Sequence, residues 1–180
     1  MNYKRIILYF LPAILVTCII FFLSSRDSTA SNVQSGEVTQ SLLNILGSKE
    51  NSSNIDLATT EGFHTFYANE AVGILNQFIR SLAHISEFGG LGLMILLGSH
   101  LLKLSRRSAY KLTLVWGTLV AVCDEILQYF VPGRTCSMMD IFKDVFGICA
   151  AILCVHIGCK MYSHYQLHKT LSLKKTSVPR

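Results

Sequence analysis

Four stretches of the chain, 6–23, 83–104, 112–131 and 141–162, each approach the roughly 20 apolar residues that an α-helix needs to cross a bilayer. In hydrocarbon every backbone N–H and C=O must find its partner within the protein, so such stretches become helices and the helices pack on one another. With 51% of its 180 residues hydrophobic and only 15% charged, the chain has the composition of a membrane protein. Residues 24–82 alone are left over for aqueous structure. The expected fold is an all-α membrane protein, a four-transmembrane-helix bundle forming one membrane domain over 1–180.

Basic residues sort by side. Lys4 and Arg5 precede the first span, Lys103, Arg106, Arg107 and Lys111 crowd the connection between the second and third, and Lys169, Lys174, Lys175 and Arg180 follow the fourth. The segment 24–82 instead holds six acids, and the turn 131–140 a single arginine. The positive-inside rule then predicts cytoplasmic termini, a basic cytoplasmic tail over 163–180, and an outward-facing hairpin between the third and fourth spans. Ser24 to Thr60, rich in Ser, Thr, Asn and Gln, reads as an outer loop with a short amphipathic piece around Val38 to Leu46. From Asn69 onward, Val72, Leu75, Ile79 and Leu82 recur at helical spacing. They predict an amphipathic helix at the outer surface that runs into the second span.

The first span is expected to be retained. Ser28-Thr29-Ala30 resembles a signal cleavage site, but the apolar run is too long and the site too far downstream. Of the six cysteines only Cys136 falls in an outer aqueous loop, which leaves no disulfide framework, and the other five read as small apolar core residues.

Polarity is concentrated on one face of each later span. At about 100° per residue, Asp124, Glu125 and Gln128 share an arc with Gly117 and Ala121, while Val115, Leu119, Val122, Ile126 and Phe130 fall opposite. In the fourth span Asp140, Asp144, Gly147, Ala151, Cys154 and Gly158 form one stripe, and in the second Arg80, His84, Glu87, Leu91 and Gly98 do so. Small residues let helices approach, and polar ones must avoid lipid, so each stripe should face the bundle interior. The charged ends of all three stripes lie at one depth, which points to a single shared polar site. Two carboxylates cost about 2.5–3.5 kcal/mol each near the centre of a span, and about a dozen apolar residues at a few tenths each roughly offset them. Adjacent Asp124 and Glu125 repel one another, so a positive partner is expected: Arg80, Arg134, Lys143, a protonated His84 or a cation. His156, across the fourth helix from its stripe, reads as a packed or inter-helix hydrogen-bonded residue.

The series Phe-Ile-Arg-Ser-Leu-Ala-His-Ile-Ser-Glu-Phe at 78–88, Asp-Glu-Ile-Leu-Gln-Tyr-Phe-Val-Pro-Gly-Arg at 124–134, and Asp140, Asp144 and Gly147 beyond it resembles the VanZ-like family of small bacterial integral membrane proteins. The Ser24-Ser25 pair closing the first span is also similar to that family's pattern, whereas Ser81 stands where a lysine is common and Phe88 where a tyrosine is frequent. The resemblance spans all four apolar stretches. It implies a bacterial plasma-membrane protein related to one associated with teicoplanin resistance, with Arg80, His84, Glu87, Asp124, Glu125, Gln128, Arg134, Asp140 and Asp144 at the motif positions.

Two functional readings follow. In the first, the outward polar cluster of the cell envelope engages a membrane lipid headgroup, a lipid-linked wall precursor or a lipophilic glycopeptide, with Arg80 and Arg134 meeting phosphate or carboxylate groups. This reading assigns no metal, cofactor or nucleic-acid partner. In the second, the chain is an intramembrane enzyme in which Asp124, Glu125, Asp140 and Asp144 hold a divalent cation and His84 acts as acid or base on a lipid-linked substrate.

Overall fold

Each apolar stretch forms one long helix. The computed structural model describes residues 3–26, 41, 61–134 and 136–176. Its helices are α1 (Tyr3–Ser24), α2 (Glu61–Leu101), α3 (Arg106–Tyr129) and α4 (Met138–Thr176), and all four are long and apolar enough to cross a membrane. There is no strand among the described residues. The amphipathic piece at 38–46 lies outside the described residues apart from Ser41, and Ser28-Thr29-Ala30 lies outside them entirely.

The chain passes back and forth, so α2 and α4 run parallel and α1 and α3 oppose them. The most extensive contact is between α2 and α4, while α1 touches α2 and α3 but not α4 among the described residues. Close approach is made possible where side chains are missing. A Cβ on Gly147 would strike the Ile85 carbonyl oxygen, and one on Gly98 would come within 2.8 Å of the Tyr9 carbonyl and of the Phe10 ring. Phe10 in turn packs on Trp116, ring centroids 5.6 Å apart, and joins Ala13, Ile20, Phe88, Leu91, Ile95, Val120, Ala121 and Ile148 in the core.

Turn chemistry fixes the ends. Past α2, Lys103 takes a left-handed φ of 57°. The Lys103 N–H reaches the His100 carbonyl and the Leu104 N–H the Ser99 carbonyl, the paired bonds that close a helix C-terminus. Ser105 then caps α3, its hydroxyl accepting from the Ser108 N–H at 3.2 Å. Between α3 and α4, Arg134 N–H returns to the Val131 carbonyl at 3.2 Å, with Pro132 and Gly133 (φ 75°) at the turn's centre. That is a type II turn, which needs a residue free to adopt positive φ at its third position.

Several boundaries differ from the sequence reading. The expected surface helix does run unbroken into the second span, since no proline interrupts 61–101 and Gly73 is tolerated within it, but it starts at Glu61 instead of near Asn69. Arg106, Arg107 and Lys111 belong to α3 instead of a loop, and the expected tail is helical as far as Thr176. The cysteines correct a larger expectation: Cys18, Cys123, Cys149 and Cys154 are exposed and Cys159 half-exposed, none of them core. On a membrane bundle the outer surface is apolar too, so an apolar thiol carries no information about which way it faces.

Candidate functional site

The cost of exposing charge to hydrocarbon fixes how each helix is rotated. In α3, Asp124, Glu125 and Gln128 are at most 1% exposed, alongside Gly117 and Ala121, whereas Val115, Leu119 and Ile126 are each more than half exposed to the lipid side. In α2, His84 is buried and Arg80 and Glu87 are half-buried. In α4, Asp144 is fully buried, and the stripe stays buried through Gly147 and Ala151. Beyond Ala151 the α4 stripe does not hold, because Cys154 and Gly158 are exposed. The buried α4 position between Gly147 and Ala151 is filled by Ile148, which meets Gly117 of α3.

The buried polar groups form linked pairs across the helices. His84 Nδ1 lies 3.0 Å from Asp144 Oδ1, joining α2 to α4. Gln128 Nε2 donates to Asp124 Oδ2 at 2.8 Å and, at 3.4 Å, to Ser24 Oγ at the end of α1. Glu125 Oε2 accepts the Ser137 backbone N–H at 2.7 Å, which ties the start of α4 to α3. One oxygen from each of Asp124, Glu125 and Asp144 lies within 4.8 Å of those from the other two. Glu87 stands within electrostatic reach of His84, Asp124, Asp144 and Arg134.

Two expected members take other roles. Asp140, one turn from Asp144, binds Lys143 Nζ at 2.6 Å and stays half-buried at the edge of the cluster. The sequence reading placed it equally with Asp144, but a lysine three residues on draws it aside. Arg134 was expected to pair with a carboxylate. No carboxylate comes within 4.0 Å of it among the described residues, where the ion pairs are His84–Asp144 and Lys143–Asp140. Its Nε is buried without a partner. Burial first, and then the nearby Arg80, pull the Arg134 guanidinium below its ordinary value, while Asp124, Glu125 and Glu87 act in the opposite sense. Two guanidiniums therefore share one end of the bundle with the acidic cluster.

Ser137 was missed, and necessarily so, because it contributes its backbone N–H and no side-chain type signals that. Ser24 was noted only as part of the resemblance. His156 meets Tyr110 Oη at 3.3 Å across α3 and α4, an inter-helix contact far from the acidic cluster.

A protein-family model described as VanZ/LLP1 matches residues 9–158, a span that covers α2 and α3, most of α1, the first half of α4 and every residue of the cluster. No curated protein and no solved structure matches the chain.

Proposed function

The chain belongs to the VanZ/LLP1 family, and from that premise we propose that it is a plasma-membrane protein of the bacterial envelope whose polar site takes the phosphate of a lipid headgroup, a lipid-linked wall precursor being the prime case. The observation that carries this reading is the pair of arginines. Arg134 Nε is a buried donor with no partner, Arg80 lies within electrostatic reach of it, and neither meets a carboxylate within 4.0 Å among the described residues. A buried donor left unmade costs about 1–3 kcal/mol, more on a charged group, so an anion fits at Arg134, within reach of the field of Arg80. The type II turn at 131–134 holds Arg134 at the rim, where a headgroup enters from the leaflet.

The basic residues at the opposite end of the helices support an outward-facing rim, by the positive-inside rule. Cys136 is exposed at the same rim, so a membrane-impermeant maleimide should label it on intact cells. Labelling that requires permeabilised cells overturns the orientation. For the ligand, native mass spectrometry of the protein released from nanodiscs should retain phosphate- or pyrophosphate-bearing polyprenyl lipids over neutral ones. Arg134→Ala and Arg80→Ala should each abolish that preference, and undiminished retention by both rules the reading out. Tolerance to acylated glycopeptides is its physiological expression. The chain expressed in a susceptible Gram-positive host should raise tolerance to a teicoplanin-type drug more than to one lacking the acyl chain, and Arg134→Ala should remove the gain.

A further inference from the structure

We propose that Asp124, Glu125 and Asp144, with the side-chain carbonyl of Gln128, form a binding site for a hard divalent cation. Their proximity is the first ground: three carboxylates, each fully or almost fully buried, present oxygens mutually within 4.8 Å. The second is how each is held. Every one of the three has one oxygen fixed by a protein donor, Gln128 Nε2 for Asp124, the Ser137 N–H for Glu125 and His84 for Asp144. Each has its other oxygen buried with no partner at all: Asp124 Oδ1, Glu125 Oε1 and Asp144 Oδ2. Donors that orient one side of a ligand and leave the other open are what surround metal sites in proteins.

Gln128 is the independent witness. It carries no charge, it is fully buried, and its amide is tied at the nitrogen to Asp124 and Ser24. Its carbonyl oxygen is nonetheless left without a donor, on the same amide whose nitrogen meets Asp124. An acceptor with nothing to accept is satisfied by a cation as well as by a hydrogen. The charge balance agrees, because Lys143 is taken by Asp140, Arg134 comes within 4.0 Å of no acid among the described residues, and His84 touches only Asp144.

The donor set selects the ion. All-oxygen sites rich in carboxylate suit Ca²⁺, Mn²⁺ or Mg²⁺ and not the softer metals. Two ligands of one ion are separated by at most twice the metal–oxygen bond. Three oxygens at the 4.8 Å limit stand about 2.8 Å from a common centre, so each closes in by about 0.4 Å to reach the roughly 2.4 Å of Ca²⁺ and by about 0.7 Å to reach the roughly 2.1 Å of Mg²⁺.

The test uses the full-length protein in nanodiscs, stripped with chelator and titrated with Mn²⁺, Ca²⁺ and Mg²⁺ alone, free Mn²⁺ being followed by electron paramagnetic resonance. One ion per chain is expected, together with a rise in the wild-type unfolding midpoint that sodium at equal ionic strength does not reproduce. Asp124→Asn, Glu125→Gln and Asp144→Asn should each weaken binding by at least about tenfold. They also remove mutual repulsion, so they should fold at least as well as the stripped wild type. Asp140→Asn should bind normally. No ion bound at millimolar concentration, the signature of carboxylates that share protons instead, overturns the proposal, as does equal binding by all three isosteric variants. Because no lipid is added, the outcome is separate from that of the phosphate-lipid experiment.

Discussion

The helices bury polar side chains at two levels and treat them in opposite ways. Toward the basic end, Ser99 and Thr113 are fully buried, yet each hydroxyl donates to the carbonyl four residues earlier on its own helix, Ile95 and Ala109, at 2.8 Å. At the acidic end, Asp124, Glu125, Gln128 and Asp144 are as deeply buried and His84 somewhat less, but their hydrogen bonds cross between elements or leave atoms unmet. Groups that satisfy themselves locally serve packing. Groups that depend on distant partners tie elements together, and the atoms they leave unmet are costly in a low-dielectric interior.

The sharpest way to break this contrast lies at the crossing just below the site. Gly147→Val sets a side chain against the Ile85 backbone, which cannot rotate away, so a loss of about 3 kcal/mol or more is expected, read as disappearance of the monodisperse peak in size exclusion. Next comes the acidic level itself. His84→Ala strips Asp144 of its only partner among the described residues and should cost about 3 kcal/mol in chemical unfolding, while the double replacement His84→Leu with Asp144→Leu should cost much less, since no charge is then stranded. A double variant as damaged as the single one would mean that the pair is not a coupled unit. At the basic level, Thr113→Val removes only a bond within one helix and should cost less than about 1 kcal/mol. Equal damage from Thr113→Val and His84→Ala erases the distinction between the two levels. Smallest of all, Val115→Leu on the lipid face should stay within about 0.5 kcal/mol of wild type by the same measurement.

The spans and the rotation of α3 were legible because lipid admits few alternatives. A helix bearing Asp124, Glu125 and Gln128 on one arc has a single affordable orientation, and Leu119 and Ile126 must then face outward. The choice between Asp140 and Asp144 was not legible. Both sit on the same α4 stripe, and their different fates depend on Lys143 and on how far His84 reaches from α2. The lower α4 stripe failed for a related reason: spacing alone made Cys154 and Gly158 look interior, although both are exposed at the level where His156 meets Tyr110 of α3. The free state of Arg134 was equally hidden, since adjacency in sequence to acids says nothing about the 4.0 Å that an ion pair requires.

One feature of the fold reaches beyond the bilayer. At about 1.5 Å per residue, the 41 residues of α2 and the 39 of α4 make rods of about 60 Å, double the roughly 30 Å of hydrocarbon. The two rods are parallel and staggered: α2 overshoots on the side of the arginines, α4 on the side of the basic residues. Where they cross, at Gly147 and Ile85, there is no side chain to act as a cushion. Any relative movement of the two rods therefore bears directly on this backbone contact, one turn from Asp144.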